Sequence, residues 1–263
     1  MNGYIGVGGT ARKIKGLYVG VNGVARTVQK AYVGDASGKA RLWYQRGKPL
    51  SNYAVGSSVY FKVNNARTQW LVVQQGNPST SIYDSSCDGT WLLMKDIYKK
   101  RQWNNSNYND YAGSTIHSYL NSTFLGLLET GVRSAVKQVK IPYRKGAGTS
   151  TTVTGGSNGL SAKIFLLSAT ETGFSTSSSY APFGEGANLT YFDSTSKRIA
   201  NLNGSAASWS LRSPNCDGDT KATYISSAGY FNQVICYTST GIRPCLILPK
   251  TALTDDNNNV IGG

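Results

Sequence analysis

The residues that most often carry enzyme chemistry are few in this sequence and form no motif. His117 is the only histidine, and a general base needs a nucleophile beside it and a third group to orient it. It is followed by Ser118 and Tyr119 in a segment with helical spacing, where a lone histidine is more often structural. We therefore do not expect His117 to be catalytic.

Three carboxylates could act together if the fold brought them close. Glu171, Glu185 and Asp193 are separated by loops rich in glycine and serine, and a facing pair of such groups can hydrolyse a glycosidic bond. The sequence does not show that they converge, and they are scattered. A surface-glycan hydrolase is therefore the weakest of three functional hypotheses, and we expect no enzyme and no catalytic residues.

We expect neither a metal ion nor a cofactor. The sequence has four cysteines, Cys87, Cys216, Cys236 and Cys245. Their spacing lacks the CxxC pairs of a zinc site and the density of a disulfide framework. Residues 255–259, "DDNNN", lack the glycine and the distal glutamate of an EF-hand calcium loop. Residues 6–13, "GVGGTARK", have the glycines of a phosphate-binding loop, but no helix follows them.

A mixture of polar and aromatic residues that suits binding lies between Arg212 in "LRSP" and Arg243 in "GIRP". Apolar residues flank both arginines, which favours a structural role in which the guanidinium groups hold loop carbonyls or a carboxylate. Rigid aromatic rings beside small polar side chains are typical of binding surfaces, although ordinary long loops have a similar composition. The candidate ligand-binding residues are Asn215, Asp217, Asp219, Tyr224, Tyr230, Phe231, Asn232 and Tyr237.

An internal repeat occupies the first 47 residues. "YIGVGGTARKI", "YVGVNGVARTV" and "YVGDASGKARLW" place a tyrosine every 14 residues and an Ala-Arg pair after each. Gly-Gly and Asn-Gly are preferred two-residue turns of β-hairpins, so each copy predicts one hairpin. Lone hairpins are marginally stable in water. We expect an attachment or oligomerisation module, with a meander packed on the following domain as the alternative. The repeated positions are Tyr4, Arg12, Tyr18, Arg26, Tyr32 and Arg41.

Charge is concentrated in the same segment. The formal net charge is +14, yet only 15% of residues are charged. Residues 1–48 contain nine Lys or Arg and a single acid, Asp35. Basic residues at fixed places in hairpins favour an acidic protein partner at least as much as nucleic acid, and we expect no nucleic-acid partner. No apolar run of 18 residues is present, so we expect a soluble protein without membrane insertion.

The remaining elements predict an α+β fold. Strand-like stretches follow residue 59, and a helical pattern lies between 110 and 139, with apolar residues such as Ile116, Leu120 and Phe124 at spacings of three and four. Further strands and long loops come after it. We expect a hairpin module at 1–47, one domain with two short helices at 48–250, and a tail at 251–263.

Four stretches together resemble a known family. "SNYNDYAGSTIHSYLNSTF", "KIFLLSATETGF", "SWSLRSP" and "GIRPCLILP" occur in the order found in a widespread domain of unknown function from phage virion proteins and bacterial surface proteins. The resemblance covers roughly residues 50–250. The last motif is also similar to the ending of C-type lectin-like domains, and the repeats are similar to modules at the head of phage tail and fibre proteins.

The resemblance implies a C-type lectin-like domain whose ligand face lies at residues 215–237. It implies no catalytic site. Relatives of formylglycine-generating enzymes share the C-type lectin-like fold, and those enzymes use a closely spaced cysteine pair, whereas Cys236 and Cys245 are nine residues apart. The calcium-binding motifs of true C-type lectins are missing as well. The implied location is a virion assembled in the bacterial cytoplasm.

Three functional hypotheses follow. The first is a non-enzymatic phage virion protein of the tail, fibre or baseplate that binds the host surface. Its partners would be other virion proteins, through the N-terminal repeats, and a host glycan or protein, and it would form a homo-oligomer. The second is a purely structural head decoration, collar or baseplate component that binds only virion proteins. The third is the glycan hydrolase.

Overall fold

The protein is built mostly from short strands. The computed structural model describes residues 4–7, 9–14, 16–28, 30–34, 36–146, 152–174, 184–215 and 218–262. Strands make up 43% of the described residues and helices 14%, with one 13-residue helix and many small sheets. The expectation of an α+β, C-type lectin-like fold with two short helices and long loops is therefore wrong.

The error has a local cause. Several segments of the chain pair as strands of only two or three residues. Val139–Ile141 pairs with Leu160–Ala162, and Tyr143–Arg144 pairs with Val153–Thr154. Such short strands have too few residues to show a clear alternation of apolar and polar side chains, so the sequence pattern predicts loops instead.

The N-terminal segment forms three separate antiparallel hairpins, each a two-stranded sheet of its own. Their strands are β1 Tyr4–Val7 with β2 Thr10–Lys13, β3 Tyr18–Val21 with β4 Val24–Thr27, and β5 Lys30–Gly34 with β6 Ala40–Gln45. The second turn has φ of 52° at Asn22 and 76° at Gly23. These left-handed values are those of a type I′ turn and explain the Asn-Gly pair.

In the rest of the chain, the described residues form nineteen further strands. They are β7 Lys48–Pro49, β8 Ser58–Val63, β9 Ala66–Gln75, β10 Thr90–Met94, β11 Lys99–Gln102, β12 Val139–Ile141, β13 Tyr143–Arg144, β14 Val153–Thr154, β15 Leu160–Ala162, β16 Ile164–Phe165, β17 Ala200–Leu202, β18 Ser205–Ala207, β19 Trp209–Pro214, β20 Lys221–Ile225, β21 Phe231–Ile235, β22 Ser239–Ile242, β23 Cys245–Leu248, β24 Leu253–Thr254 and β25 Val260–Gly262. Short 3₁₀ turns lie at Leu50–Asn52, Ser85–Cys87, Thr170–Thr172 and Thr195–Arg198.

Two five-stranded sheets form the body of the protein. The first sheet has the order β16-β23-β10-β9-β8, and the second has the order β11-β22-β19-β20-β21. Within the first sheet, β10 and β23 are buried along their whole length. Leu92 packs in one apolar cluster, whereas Trp91 and Leu93 pack in the other. Because successive side chains point to opposite faces, a strand between two cores must be apolar throughout, as "TWLLM" is.

The predicted helical segment is one continuous helix, α1, over residues 115–127. It consists of α-helical turns at Thr115–Tyr119 and Leu125–Leu127 and a π-helical turn at Leu120–Phe124. The side chain of Ser114 accepts a hydrogen bond from the backbone N–H of His117 and caps its N-terminus. A second helix, α2, covers Thr130–Ala135.

Asn121, in the π-helical turn, covers the edge of the first sheet. Its Nδ2 donates to the carbonyl oxygen of Ile164 at 2.9 Å, and its Oδ1 accepts from the backbone N–H of Lys163 at 2.8 Å and of Ile164 at 3.2 Å. The side-chain amide therefore takes the place of a neighbouring strand beside β16. This arrangement satisfies backbone groups that an edge strand would otherwise leave unpaired.

The C-terminal residues pair with the start of the domain. β24 lies between β25 and β7, with Leu253 opposite Pro49 and Thr254 opposite Lys48. Gly47 sits against this pairing at φ +79°, and a Cβ there would meet the Thr254 carbonyl oxygen at 2.2 Å. Only glycine fits this position. The domain boundaries after residues 47 and 250 stay a prediction.

Candidate functional site

The predicted ligand face falls on the hairpin of β20 and β21, which forms one edge of the second sheet. Tyr224 lies opposite Asn232, and Ile225 lies opposite Phe231. The turn between the strands is closed by the N–H of Ser226, which donates to the carbonyl oxygen of Tyr230 at 2.8 Å. Of the candidate residues, Tyr224, Phe231 and Asn232 are thus held on paired strands.

These candidate residues do not form one continuous patch. Tyr230 is 63% exposed and precedes β21, whereas Tyr237 is 49% exposed and follows the same strand. Phe231 packs against Phe174, with ring centroids 5.5 Å apart, and so contacts the core. The hairpin therefore presents Tyr230 and Tyr237 at opposite ends of β21, with Asn232 exposed between them.

The remaining candidates lie toward the other end of the second sheet. Asn215 is buried, and its backbone N–H donates to the carbonyl oxygen of Lys221 at 2.9 Å. Asp219 is exposed, and its carbonyl oxygen accepts from the backbone N–H of Asn109 at 2.7 Å. Asp217 and Cys216 lie outside the described residues.

A polar groove of about 420 Å³ lies beside Tyr224, and we call it the Tyr224 groove. Its polar lining includes Lys100, Ser208, Tyr224, Ser227, Ser239 and Thr240. A second depression of about 320 Å³, lined by Arg101, Gln102, Asn105, Thr115 and Ser239, shares Ser239 with it. The two depressions therefore adjoin along the β11–β22 edge of the second sheet.

Strand β11 places Lys100 at the Tyr224 groove and Arg101 at the second depression. Lys99, Lys100 and Arg101 follow one another on the strand. The guanidinium of Arg101 lies 4.2 Å from the centre of the Tyr119 ring, and the ammonium of Lys99 lies 4.8 Å from it. Among the described residues, neither Lys100 nor Arg101 has an acidic partner within ion-pair distance.

Sequence reasoning missed this basic strand. The signal that would have found it is the run "YKKRQ", since Lys99 to Arg101 is the longest unbroken run of basic residues in the sequence. Basic residues on an edge strand also prevent edge-to-edge pairing, so the run alone does not identify a site. Its place beside Tyr224 depends on the pairing of β11 with β22, which joins residues 137 to 143 positions apart.

The two glutamates that could do acid–base chemistry are brought close together, but inside the protein. Glu171 forms a bidentate ion pair with Arg212, with oxygen–nitrogen distances of 2.5 and 2.7 Å, and its Oε1 accepts from the Tyr83 hydroxyl at 2.7 Å. Glu185 accepts from the backbone N–H of Arg144 at 2.7 Å. All of these groups except Tyr83, which is 2% exposed, are at most 1% exposed.

Burial and charge act in opposite directions within this cluster. Burial disfavours the charged guanidinium of Arg212, but the Glu171 carboxylate outweighs it, so that the pKa of Arg212 is raised. Burial raises the pKa of Glu185 above its usual value, although Arg144 and Arg212 oppose the shift. Asp193 does not join the cluster, since it is exposed and pairs with Lys197 at 2.7 Å. The cluster therefore connects loops to one another in the interior of the protein.

Of the other residues singled out in the sequence, Arg243 is buried and His117 is partly buried. The Nε of Arg243 donates to the carbonyl oxygen of Met94 at 2.8 Å, and its guanidinium lies 5.0 Å from the centre of the Trp209 ring. Burial lowers the pKa of Arg243 to about 10. His117 packs beside Tyr111, with ring centroids 5.1 Å apart, and burial lowers its pKa.

The N-terminal hairpins carry a second candidate surface. Opposite each repeated arginine lies a β-branched residue, in the pairs Ile5–Arg12, Val19–Arg26 and Val33–Arg41. The tyrosines project from the other face of each hairpin. The exposed apolar side chains, which we call the repeat surface, are Tyr4, Ile5, Val7, Tyr18, Val19, Val21, Val24, Tyr32, Val33 and Trp43.

No helix within the described residues has the length and apolar character needed to span a membrane. A search against protein families matches residues 88–250, which is more than half of the chain, to a model described as Domain of unknown function (DUF6273). Neither the curated proteins nor the solved structures contain a match to the chain.

Proposed function

We propose that this chain, which belongs to the family described as Domain of unknown function (DUF6273), is a non-enzymatic attachment protein of a bacteriophage particle. Its three hairpins bind other virion proteins, and its second sheet contacts the host cell surface. The proposal includes assembly of several copies of the chain. The phage assignment derives from the resemblance of the repeats and of the four ordered motifs to phage proteins.

The observation that carries this proposal is the repeat surface. Burial of a large apolar side chain contributes about 1.5–3 kcal/mol, and isolated two-stranded hairpins are marginal without a partner. Nevertheless Tyr18 is 65% exposed, and the equivalent Tyr4 and Tyr32 are exposed by more than half. So many exposed large apolar side chains in one segment support an interaction role for it.

The charge of the segment indicates the chemistry of the partner. Residues 1–48 contain nine basic residues and one acid, so like charges oppose contact between these segments alone. An acidic protein surface complements them and speeds docking. We therefore propose that the hairpins dock on an acidic virion protein.

Two measurements test the two halves of the proposal. Immunogold labelling of purified phage particles with an antibody to the chain should place the chain on the particle, and unlabelled particles would contradict the attachment role. Binding of the purified full chain to host cells should then be measurable. If the chain labels particles but does not bind cells, the purely structural component becomes the better account.

A further inference from the structure

We infer that the Tyr224 groove binds an anionic saccharide, and this inference rests on the proposed contact with the host surface. The aromatic ring of Tyr224 would receive the sugar ring, and Lys100 would bind a carboxylate or phosphate group on it, while Arg101 would bind such a group on a sugar unit in the adjoining depression. Both substituents are planar or tetrahedral oxyanions that ammonium and guanidinium groups recognise.

The size of the site fits a small polar ligand. The Tyr224 groove and its neighbour have volumes of about 420 and 320 Å³, which lie within the usual range for ligand sites. Because Ser239 lines both, a chain of sugar units can follow the β11–β22 edge from one depression into the other. The groove is open, as a site for a polymer must be.

The lining chemistry matches a saccharide better than an apolar ligand. Ser208, Ser227, Ser239 and Thr240 bring hydroxyl groups that both donate and accept. Gln102 and Asn105 add amide groups in the adjoining depression. Tyr224 and Val234 supply the apolar contact, and a phenol ring can pack against the C–H face of a sugar while its hydroxyl stays hydrated.

The charge of the lining selects an anion. Lys100 lines one depression and Arg101 the other, and no carboxylate is among their described lining residues. Stacking on Tyr119 holds the Arg101 guanidinium in place, which reduces the entropy lost when a ligand binds. The ammonium of Lys100 and the guanidinium of Arg101 both lack an acidic partner among the described residues.

The test uses the purified full chain and four polymers as probes in biolayer interferometry. Polygalacturonate carries carboxylates, phosphomannan carries phosphates, dextran is a neutral saccharide, and inorganic polyphosphate is an anion without sugar. We expect at least one charged saccharide to bind ten-fold or more tightly than dextran and polyphosphate. The polymer that binds identifies which anion the site prefers.

Variants connect this binding to the groove. We expect Lys100→Gln to weaken binding of the charged saccharide at least five-fold, and Tyr224→Ala to do the same, whereas Tyr224→Phe should retain most of it. Lys95→Gln is the matched control, because Lys95 is exposed outside both depressions and its loss removes the same charge. It should change the affinity less than two-fold.

Several results would overturn the inference. Equal binding of dextran would show that the anion is not recognised. Binding of polyphosphate that Tyr224→Ala leaves unchanged would show that the sugar is not recognised. If Lys95→Gln weakened binding as much as Lys100→Gln, the interaction would depend only on net charge. If neither charged saccharide bound, the inference would be wrong. Particles that label with antibody while these tests fail would leave the attachment role intact.

Discussion

At the scale of single residues, the interior depends on charges that compensate one another. Arg212 and Glu171 have no exposed surface, and removal of one partner of a buried pair leaves an uncompensated charge. We expect Glu171→Gln to lower the free energy of unfolding by about 3–5 kcal/mol, measured by urea denaturation. Lys197→Gln breaks the exposed pair with Asp193 and should cost less than about 1 kcal/mol. Equal effects of the two changes would contradict the account.

His117 predicts a pH dependence of stability. Burial lowers its pKa below the usual 6.5, with Asp110 opposing the shift. A depressed folded pKa means that the unfolded chain binds the proton first, so stability is lost as the pH falls from about 6.5 through the folded value. Between pH 7.5 and 5, the wild type should lose stability relative to His117→Gln. A constant difference between the two chains over this range would contradict the prediction.

The sequence predicted a structural role for the two arginines but not the residues that they contact. Apolar neighbours favoured burial of Arg212 and Arg243, and both are buried. The carboxylate that pairs with Arg212 lies 41 positions away, and no spacing rule predicts such a pair. The same limit hid Lys100, whose neighbours in the groove come from strands far along the chain.

At the scale of elements, Asn121 joins a helix to a sheet edge. We expect Asn121→Ala to reduce stability by about 2 kcal/mol, since backbone groups of Lys163 and Ile164 lose partners. Hydrogen exchange should show the loss of protection at Ile164 first. Ser122→Ala, which alters an exposed neighbour, is the control. Unchanged exchange at Ile164 would show that Asn121 does not protect this edge.

Long elements were predictable, and short ones were not. Helix α1 has a serine cap and buries Ile116, Leu120 and Phe124, which matches the spacing in the sequence. Strands of two residues, such as Ile164–Phe165, are selected by their neighbours instead. Propensity has little influence over so few residues. This difference explains why an α+β fold was expected and a mostly β fold is observed.

At the scale of the whole molecule, the chain combines a body with two five-stranded sheets and three hairpins that leave their apolar residues exposed. The buried sheets supply stability, whereas the hairpins have little to gain from folding alone. We therefore propose that the repetition serves attachment. Three similar hairpins can engage a target several times, which raises the overall strength of binding without any new kind of contact.

The most direct test of this claim is the amount of chain recovered with purified particles. Tyr4→Ser, Tyr18→Ser and Tyr32→Ser together remove the largest apolar groups shared by the three repeats, and Tyr108→Ser removes an exposed tyrosine of the body. We predict that the triple variant stays folded but is lost from particles by ten-fold or more, while Tyr108→Ser is incorporated like the wild type. Normal incorporation of the folded triple variant would contradict the attachment role of the hairpins.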